Sequence, residues 1–467
     1  MAGGAPGLRR AVVGCIGVAL VTLWSRPLYA QDTTAVDRGV RIGIYYQPGV
    51  RPGIVLLPDR QEALDSARVV LARDLDYSDR FEIITLPGGD SIHVATAPPR
   101  TGSPPGAGTH SPPGIDPASL NYPLYQALGA DFAIGLSVAG DSTAITVHDV
   151  TVGAVRRTLK ARLPPVADPS FRMSVHRLAD RVVDVALGAP GVAATRILFV
   201  MNGKLYRIDQ DGAALTEVRS AGDRGILSPA WDRDGRRFAY MEFVGGHGQL
   251  FLQDGATGQR RALTNGATLD FTPTFAPDGK TLAFSRAIEE GTDVYTINVR
   301  DNCCLQRLTV GRFSDNLSPT YSPDGGRIAF VSTRPGLPQI YVMEADGTGQ
   351  ELFAPFDYGV TGSSNAPDWS PDGRSVAFHR DVGGTLQVFV MDARTRTVRQ
   401  LTSLGRNEDP TWAPDSRHLA FVSDRAGYRQ LWVIDVETGR IRPLLQESGG
   451  RLPAWSPRLP ETGPSTH

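Results

Sequence analysis

The stretch SPTYSPDGGRIAFVS, Ser318 to Ser332, reads as a strand start, a tight turn and a second strand. Proline opens a strand where its missing N–H costs least. Ser-Pro-Asp-Gly then turns the chain, because proline presets φ and glycine accepts a positive φ. RIAFVS, Arg327 to Ser332, alternates inward and outward as a strand facing a core. The same pattern recurs along the chain. Its aromatic anchors are Trp231, Phe275, Tyr321, Trp369, Trp412 and Trp455, separated by 44, 46, 48, 43 and 43 residues. Each sits two residues after a proline: Pro229, Pro273, Pro319, Pro367, Pro410 and Pro453. A third strand such as QIYVMEADG (Gln339 to Gly347) and a short fourth such as RQLTS (Arg399 to Ser403) complete the unit. Several strands per repeat, at a period in the mid-forties, are the mark of a β-propeller blade. A parallel solenoid needs shorter repeats, and helical repeats need a 3.6-residue period that is absent.

The array is offset. It opens on a second strand, RILFV (Arg196 to Val200), and closes on a first strand, PAWSP (Pro453 to Pro457). The expectation is that Pro453 to Ser456 completes the blade begun at Arg196, joining the ends of the ring and removing its open edge. Two turns depart from the pattern. Trp231 is followed by Asp-Arg-Asp-Gly, and Pro414-Asp415 is followed by Ser416 in place of glycine. A positive φ at Ser416 costs about 1 kcal/mol, unless the turn type differs.

Before the repeats the chain mixes helix and strand. VRIGIYY (Val40 to Tyr46), GIVLLP (Gly53 to Pro58) and FEIITLP (Phe81 to Pro87) read as strands, as do DFAIGLSVAG, TAITVHDV and AVRRTLKARL. Gln61 to Asp76 reads as a helix with Leu64, Ala67, Leu71 and Leu75 on one face. A second helix starts at Asp168-Pro169, a cap followed by proline, and Gly188 ends it. The fold expected is a small N-terminal α/β domain (31–190) followed by an all-β six-bladed β-propeller (191–457) and a tail (458–467). PPRTGSPPGAGTHSPPGIDP, residues 98–117, builds no core and reads as an exposed insertion.

The first thirty residues read as an export signal. Arg9 and Arg10 precede an apolar run, Ala11 to Leu23, too short to span a bilayer comfortably, and Leu-Tyr-Ala ending at Ala30 is a cleavage site. VVGC (Val12 to Cys15) looks like a lipoprotein box, but apolar residues continue past Cys15. The expected product is a soluble periplasmic chain starting near Gln31. The balance of 48 Lys+Arg against 49 Asp+Glu makes no electrostatic case for nucleic acid or an anionic membrane. Cys303 and Cys304 are adjacent and are expected as thiols, since a bond between neighbours is strained.

The search for chemistry finds no catalytic set. The eight histidines are scattered, with no zinc-binding spacing. GLSVA (Gly135 to Ala139) nearly matches a nucleophile elbow but lacks the last glycine and lies in a strand-like run. The Asp-Gly pairs match no calcium loop and are explained by turns. No phosphate loop precedes a helix. No catalytic residue, cofactor or metal is assigned. Serine peptidases that follow such a propeller with a hydrolase domain need more chain than the ten or so residues after Pro457. The reading is a binding module, with a propeller-based exported hydrolase or small-ligand-binding protein as the alternative.

Equivalent segments before each proline gather at one rim: Thr268 to Thr272, Ser314 to Ser318, Gly362 to Ala366, Arg406 to Asp409 and Gly449 to Leu452. They carry Asp270, Phe271, Asp315, Asn316, Ser364, Asn365, Asn407 and Glu408, hydrogen-bonding groups suited to docking a loop of another protein.

The order of signal, α/β segment and repeats resembles the TolB family of the Tol-Pal envelope system. The matching stretches are VRIGIYY…GIVLLP, VVLARDLDYSDRFEI (Val69 to Ile83), LGADFAIGLSV (Leu128 to Val138), Phe171 to Val200 and the propeller units. The resemblance implies a non-catalytic, monomeric periplasmic adaptor that supports outer-membrane integrity and its invagination at division. It implies a Pal-like peptidoglycan-associated lipoprotein on the propeller rim and a TolA-like inner-membrane protein on a segment within Gln31 to Val50. YYQPGVRPG departs from the acidic, glycine-rich family version there, and the 98–117 insertion is also a departure.

Overall fold

The computed structural model describes residues 51–58, 64–86, 120–218, 225–354, 362–446 and 449–460. The signal segment, the strand expected at Val40 to Tyr46, the N-terminal contact segment up to Val50 and the 98–117 insertion lie outside the described residues.

The first elements are β1 (Gly53–Leu56), α1 (Asp65–Tyr77), β2 (Glu82–Ile83), α2 (Tyr122–Ala127), β3 (Phe132–Ala139), β4 (Ser142–Asp149), β5 (Ala154–Ala161) and α3 (Phe171–Leu187). The strands form one sheet in the order β2-β1-β3-β4-β5. β1 pairs parallel with β2 and β3, and β3, β4 and β5 follow as antiparallel neighbours. β1 is buried at every position, as a strand between parallel partners requires. α1 and α3 close one face around Leu71, Leu75, Phe132, Val175 and Val182. α3 begins later than Asp168-Pro169. Asp168 instead forms a turn, its Oδ1 accepting Ser170 N–H at 2.8 Å and the Ser170 hydroxyl at 2.7 Å. Gly188 ends it at φ +73°, its N–H donating to Asp184 O. The short α2 has no counterpart in the sequence reading. Asn121 caps it by accepting Leu124 N–H, and proline occupies its first turn.

The remaining strands build a β-propeller. Four sheets have four strands each, and one has eight. In the eight-stranded sheet, Asp270–Arg307 and Ser314–Leu352 each repeat the four-strand pattern. A two-residue parallel contact joins them, Gly291 opposite Ser314 and Thr292 opposite Asp315. The last strand, Arg451–Trp455, pairs antiparallel with Arg196–Met201, Trp455 opposite Ile197 and Ala454 opposite Leu198. Thus the chain's two approaches to the repeat region share one sheet. Ser456 N–H donates to Arg196 O at 2.8 Å, and Trp455 Nε1–H donates to Thr195 Oγ1 at 2.8 Å.

The first strands do not open on proline. They start up to five residues earlier, at Ile226, Asp270, Ser314, Ser364, Asn407 and Arg451. The residue before each proline (Ser228, Thr272, Ser318, Ala366, Asp409 and Leu452) has φ between 46° and 54°. At that point the pairing with the second strand shifts register. This is a β-bulge, which absorbs an extra residue and bends the strand. The proline just after it has no N–H to leave unpaired. Strand therefore continues on both sides of a residue that reads as its beginning. Ser416 takes φ +56°, the glycine-like turn conformation, and its hydroxyl accepts Asp372 N–H from the neighbouring sheet. Cys303 and Cys304 are bonded to each other rather than being thiols. They sit in an exposed turn where Asn302 and Cys304 both take positive φ.

Candidate partner-binding face and central channel

The α/β layer docks at one end of the propeller, where first strands turn into second strands and third into fourth. Arg440, after a third strand, donates to Asp76 Oδ2 at 2.9 Å and Asp79 Oδ1 at 2.9 Å. Arg417 reaches Asp79 O at 2.8 Å and pairs with Asp435 at 2.7 Å. His418 lies between Asp415 (2.8 Å) and Asp79 (3.2 Å). Arg442 lies over the Tyr77 ring at 4.0 Å. Every described hydrogen bond or ion pair between this layer and the propeller sheets lies at that end, which leaves the opposite end, where first strands begin, outside the contact.

Three buried donor residues meet at the same junction: Asp74, His176 and Asp211, their ligating atoms within 4.8 Å of one another. His176 Nδ1 pairs with Asp74 Oδ2 at 2.7 Å. Asp211 is already engaged by Arg172 and, at 3.6 Å, by Arg73. Guanidinium groups thus supply the positive charge that a metal ion would otherwise bring. Burial alone would lower His176, but the Asp209 carboxylate 3.8 Å from its Nε2, the hydrogen bond to Asp74 and the charges of Asp74 and Asp211 hold it up at about 10. The cluster reads as an electrostatic joint between layers.

The eight residues expected at the rim lie on first strands at the free end, in two sets. Asp270, Asn316, Ser364 and Asn407 are fully buried. Phe271, Asp315, Asn365 and Glu408 are half-buried. Asp315 O accepts Thr333 N–H at 2.9 Å, and its own N–H donates to the Thr333 hydroxyl at 2.8 Å. Glu408 accepts Arg406 Nε at 3.0 Å and faces Arg429 at 3.4 Å. The Asn365 amide donates to the Ser363 hydroxyl at 3.5 Å and makes no other side-chain bond among the described residues, so it is the most available polar group of the eight.

The buried set explains itself through arginines that sequence reasoning missed. Asp270 holds Arg286 through two bonds of 2.7 and 2.9 Å. Asn316 Oδ1 accepts from Arg334 at 3.0 Å and from the Ser332 hydroxyl at 2.8 Å, while its Nδ2 donates to Asp293. Ser364 Oγ accepts Arg380 Nε at 2.9 Å. Asn407 Oδ1 accepts Arg425 at 2.9 Å, and its Nδ2 donates to Gln387 Oε1. Each arginine also lies over two aromatic rings of its own blade, at 4.8 to 5.8 Å: Phe284 and Tyr295, Phe330 and Tyr341, Phe378 and Phe389, Phe421 and Trp432. Such a contact contributes about 0.5–2 kcal/mol. The signal in the sequence was FSR, FVSTR, FHR and FVSDR, an arginine two or four residues after the second-strand phenylalanine. Long hairpins place it within the strand, opposite its partner, as Arg286 is opposite Asp270 and Arg380 opposite Ser364. Short hairpins curl it back over a serine, Ser332 or Ser423.

A cavity of about 370 Å³ runs between first strands of every sheet in the ring, lined by the bulge residues, the prolines after them and the turns. Its wall carries Asp368, which burial pushes up to about 6 against bonds from Trp412 N–H and neighbouring hydroxyls. Asp409 is pushed up to about 7 by burial and by the Glu408 charge. Behind it His379 is pushed down to about 4 by burial and nearby Arg406, and its Nδ1 accepts Asp409 N–H. A neutral histidine already accepting a backbone N–H is poorly placed as a general base. Among the described residues, each histidine hydrogen bond runs to a carboxylate, a tyrosine hydroxyl or a backbone N–H, and none to a serine or cysteine.

Sheets of this kind around a central channel, with an α/β layer anchored to one end, define a β-propeller protein whose other end is uncovered among the described residues. The chain belongs to the TolB β-propeller family, whose domain model, described as the TolB beta propeller domain, matches residues 185–355 and 358–460. A "Protein TolB homolog" of Chlorobium luteolum is 28% identical over 245 residues, 50% of this chain and 53% of the relative. A "Tol-Pal system protein TolB" of Chromobacterium violaceum is 31% identical over 224 residues, 46% of this chain and 47% of the relative. The chain thus spans about half the length of the curated relatives it matches. The crystal structure of TolB from Acinetobacter baumannii superposes with a TM-score of 0.71 at 22% identity, covering 88% of this chain and 98% of that one, a likeness of fold.

Proposed function

We propose that the chain is a non-catalytic periplasmic adaptor of a Tol-Pal system, exported with a cleaved signal peptide. In this reading the eight-stranded sheet counts as two blades, so the propeller has six, closed by the C-terminal strand, behind an α/β domain spanning about 31–190. The free face of the propeller binds a Pal-type peptidoglycan-associated lipoprotein. The segment before Val50, outside the described residues, binds a TolA-type inner-membrane protein. The pairing supports outer-membrane integrity and invagination during division.

One observation carries this reading. The α/β layer occupies one end of the ring and leaves the first-strand end open, in a chain of a family whose Chromobacterium violaceum member is named a Tol-Pal system protein. Among the described residues no helix is long and apolar enough to cross a membrane. The test is calorimetric titration of the full mature chain with the soluble domain of the peptidoglycan-associated lipoprotein from the same cell. Saturable one-to-one binding is expected. No heat and no co-elution, with the protein folded, would discard the reading.

A further inference from the structure

The third-to-fourth turn of the Asp270–Arg307 sheet carries chemistry that its counterparts lack. Three other turns of the ring close with one and the same pair of backbone bonds. Asp254 N–H donates to Gln259 O and Gly258 N–H to Asp254 O; Asp392 stands likewise with Thr397 and Arg396, and Asp435 with Arg440 and Gly439. Here Asn298 N–H donates to Cys303 O at 3.0 Å, and Asn302 N–H to Asn298 O at 3.0 Å. The turn therefore closes elsewhere without cysteine, and the Cys303–Cys304 bond is not what closes it. Nor is the bond a staple. A disulfide stabilises mainly by restricting the unfolded chain, and more so the longer the loop it spans. A bond between neighbours spans none.

The pair does change the strand that follows. In the three counterparts the fourth strand starts on the residue after the closing one, at Arg260, Val398 and Ile441. Here it starts only at Gln306 and is two residues long. Its pairing with the third strand falls one residue later than in the others, with Arg307 opposite Tyr295 where Ala262 is opposite Phe251. Cys304, at φ +62°, takes up the extra residue. That conformation costs a residue other than glycine about 1–2 kcal/mol, and the bond to Cys303 leaves Cys304 few alternatives to it. Beside the pair, Asn302 ties the turn to the neighbouring sheet. Its Oδ1 accepts Arg261 Nη1 at 2.6 Å and its Nδ2 donates to Ala262 O at 3.0 Å, while Arg261 Nη2 donates to Arg300 O at 3.4 Å. These bonds hold the outer strand Arg260–Ala262 of that sheet.

The bond is also accessible. Cys304 is exposed and Cys303 half-buried. The peptide between them fixes their Cα atoms 3.8 Å apart, inside the roughly 4.4–6.8 Å that disulfides ordinarily take, which makes such a bond easier to reduce. Exposed or strained disulfides are the labile and regulatory ones.

We propose that Cys303–Cys304 is a redox switch, reduced by a protein dithiol, whose opening loosens the outer strands of two neighbouring sheets. A thiolate of the dithiol attacks Cys304 Sγ, the more exposed sulfur. The bond between the cysteines breaks, and Cys303 leaves as a thiolate that takes up a proton. The second thiolate of the dithiol then attacks the mixed disulfide and releases Cys304, which is protonated in turn. Two electrons and two protons pass to the pair, and the dithiol ends as a disulfide. Freed from Cys303, Cys304 relaxes out of its positive φ, and the turn loses its hold on Arg261 and Ala262. The inference goes beyond the proposed function and does not depend on it.

The experiment uses the full mature chain, in which these are the only cysteines. The probes are oxidised and reduced dithiothreitol in native buffer, with maleimide labelling counted by intact mass. Hydrogen exchange is read over Arg260–Ala262 and Leu305–Arg307. In oxidised buffer the expected uptake is no maleimide. In reduced buffer both cysteines are expected to label together while the ring stays folded, with exchange in the two strands rising several-fold. Cys303→Ser/Cys304→Ser is expected to exchange like the reduced chain in both buffers. Free thiols that persist in oxidised buffer overturn the proposal, as do thiols released only on denaturation. Labelling without any change in exchange also overturns it, since the bond would then control nothing. A rise on reduction in the double variant overturns it too, because the dithiol would then act elsewhere. If that variant does not fold, the two states of the unaltered chain decide alone.

Discussion

Asp270 and Arg286 show how much of the rim is architecture at the scale of single residues. Both oxygens of a fully buried carboxylate hold one guanidinium, which is also stacked on two rings. Removing the arginine leaves a buried charge unpaired, which costs about 3–5 kcal/mol. Arg286→Ala is therefore expected to lower the urea midpoint sharply. Asn365→Ala, at a half-buried site with one weak bond, is expected to stay within about 0.5 kcal/mol. If the two variants unfold alike, the distinction between buried and available positions fails. The same distinction shows what the sequence could not tell. Asp270, Phe271, Asn407 and Glu408 were legible as neighbours at one end of the ring. Their depth was not, because a one-residue bulge at Thr272 or Asp409 decides which of two adjacent side chains turns inward. No local residue pattern announces a bulge at threonine, alanine or leucine as it does at glycine.

At the scale of elements, legibility follows contact range. The Ser-Pro-Asp-Gly turns and aromatic anchors were readable because their chemistry is local. The arginine clamps were not, since each needs the pairing of two strands and the length of the hairpin between them. The closing strand Arg451–Trp455 joins both kinds. Its anchor was legible, yet its value comes from residues about 250–260 positions away: Trp455 Nε1 donates to Thr195, and the ring is buried with Ile197 and Ile208. Trp455→Ala removes a large buried side chain and opens a void, at about 3–5 kcal/mol. The expected readout is a markedly lower melting temperature. Proteolysis is expected to start at the loosened C-terminal strand, because a sheet deprived of its inner strand regains an open edge. A ring that melts unchanged without Trp455 would show that the last strand contributes little to closure.

At the scale of the whole molecule, two buried histidines join the α/β layer to the propeller, and both are protonated at neutral pH. Burial alone would lower His418. The Asp415 charge and the bonds to Asp415 and Asp79 outweigh it and hold the imidazole at about 9, against an ordinary 6.5. His176, between Asp74 and Asp209, is held at about 10. A pKa raised in the folded state contributes stability that is fully present below the unfolded value and is lost as pH rises through the folded one. The joint is therefore expected to be strongest near pH 6.5 and below. It weakens progressively toward pH 9–10, by an amount on the order of a few kcal/mol for the pair. Hydrogen exchange on α1, whose last turn carries Asp74, Asp76 and Tyr77 into the joint, would report the loosening before the ring itself opens. His418→Gln keeps a donor but cannot carry the charge, so it should flatten the pH profile and lower its acid plateau. A wild-type profile flat from pH 6.5 to 10 would mean that the charge of these histidines does not hold the layers together. The arginines of the joint, Arg417, Arg440, Arg442, Arg172 and Arg73, would then carry it without them.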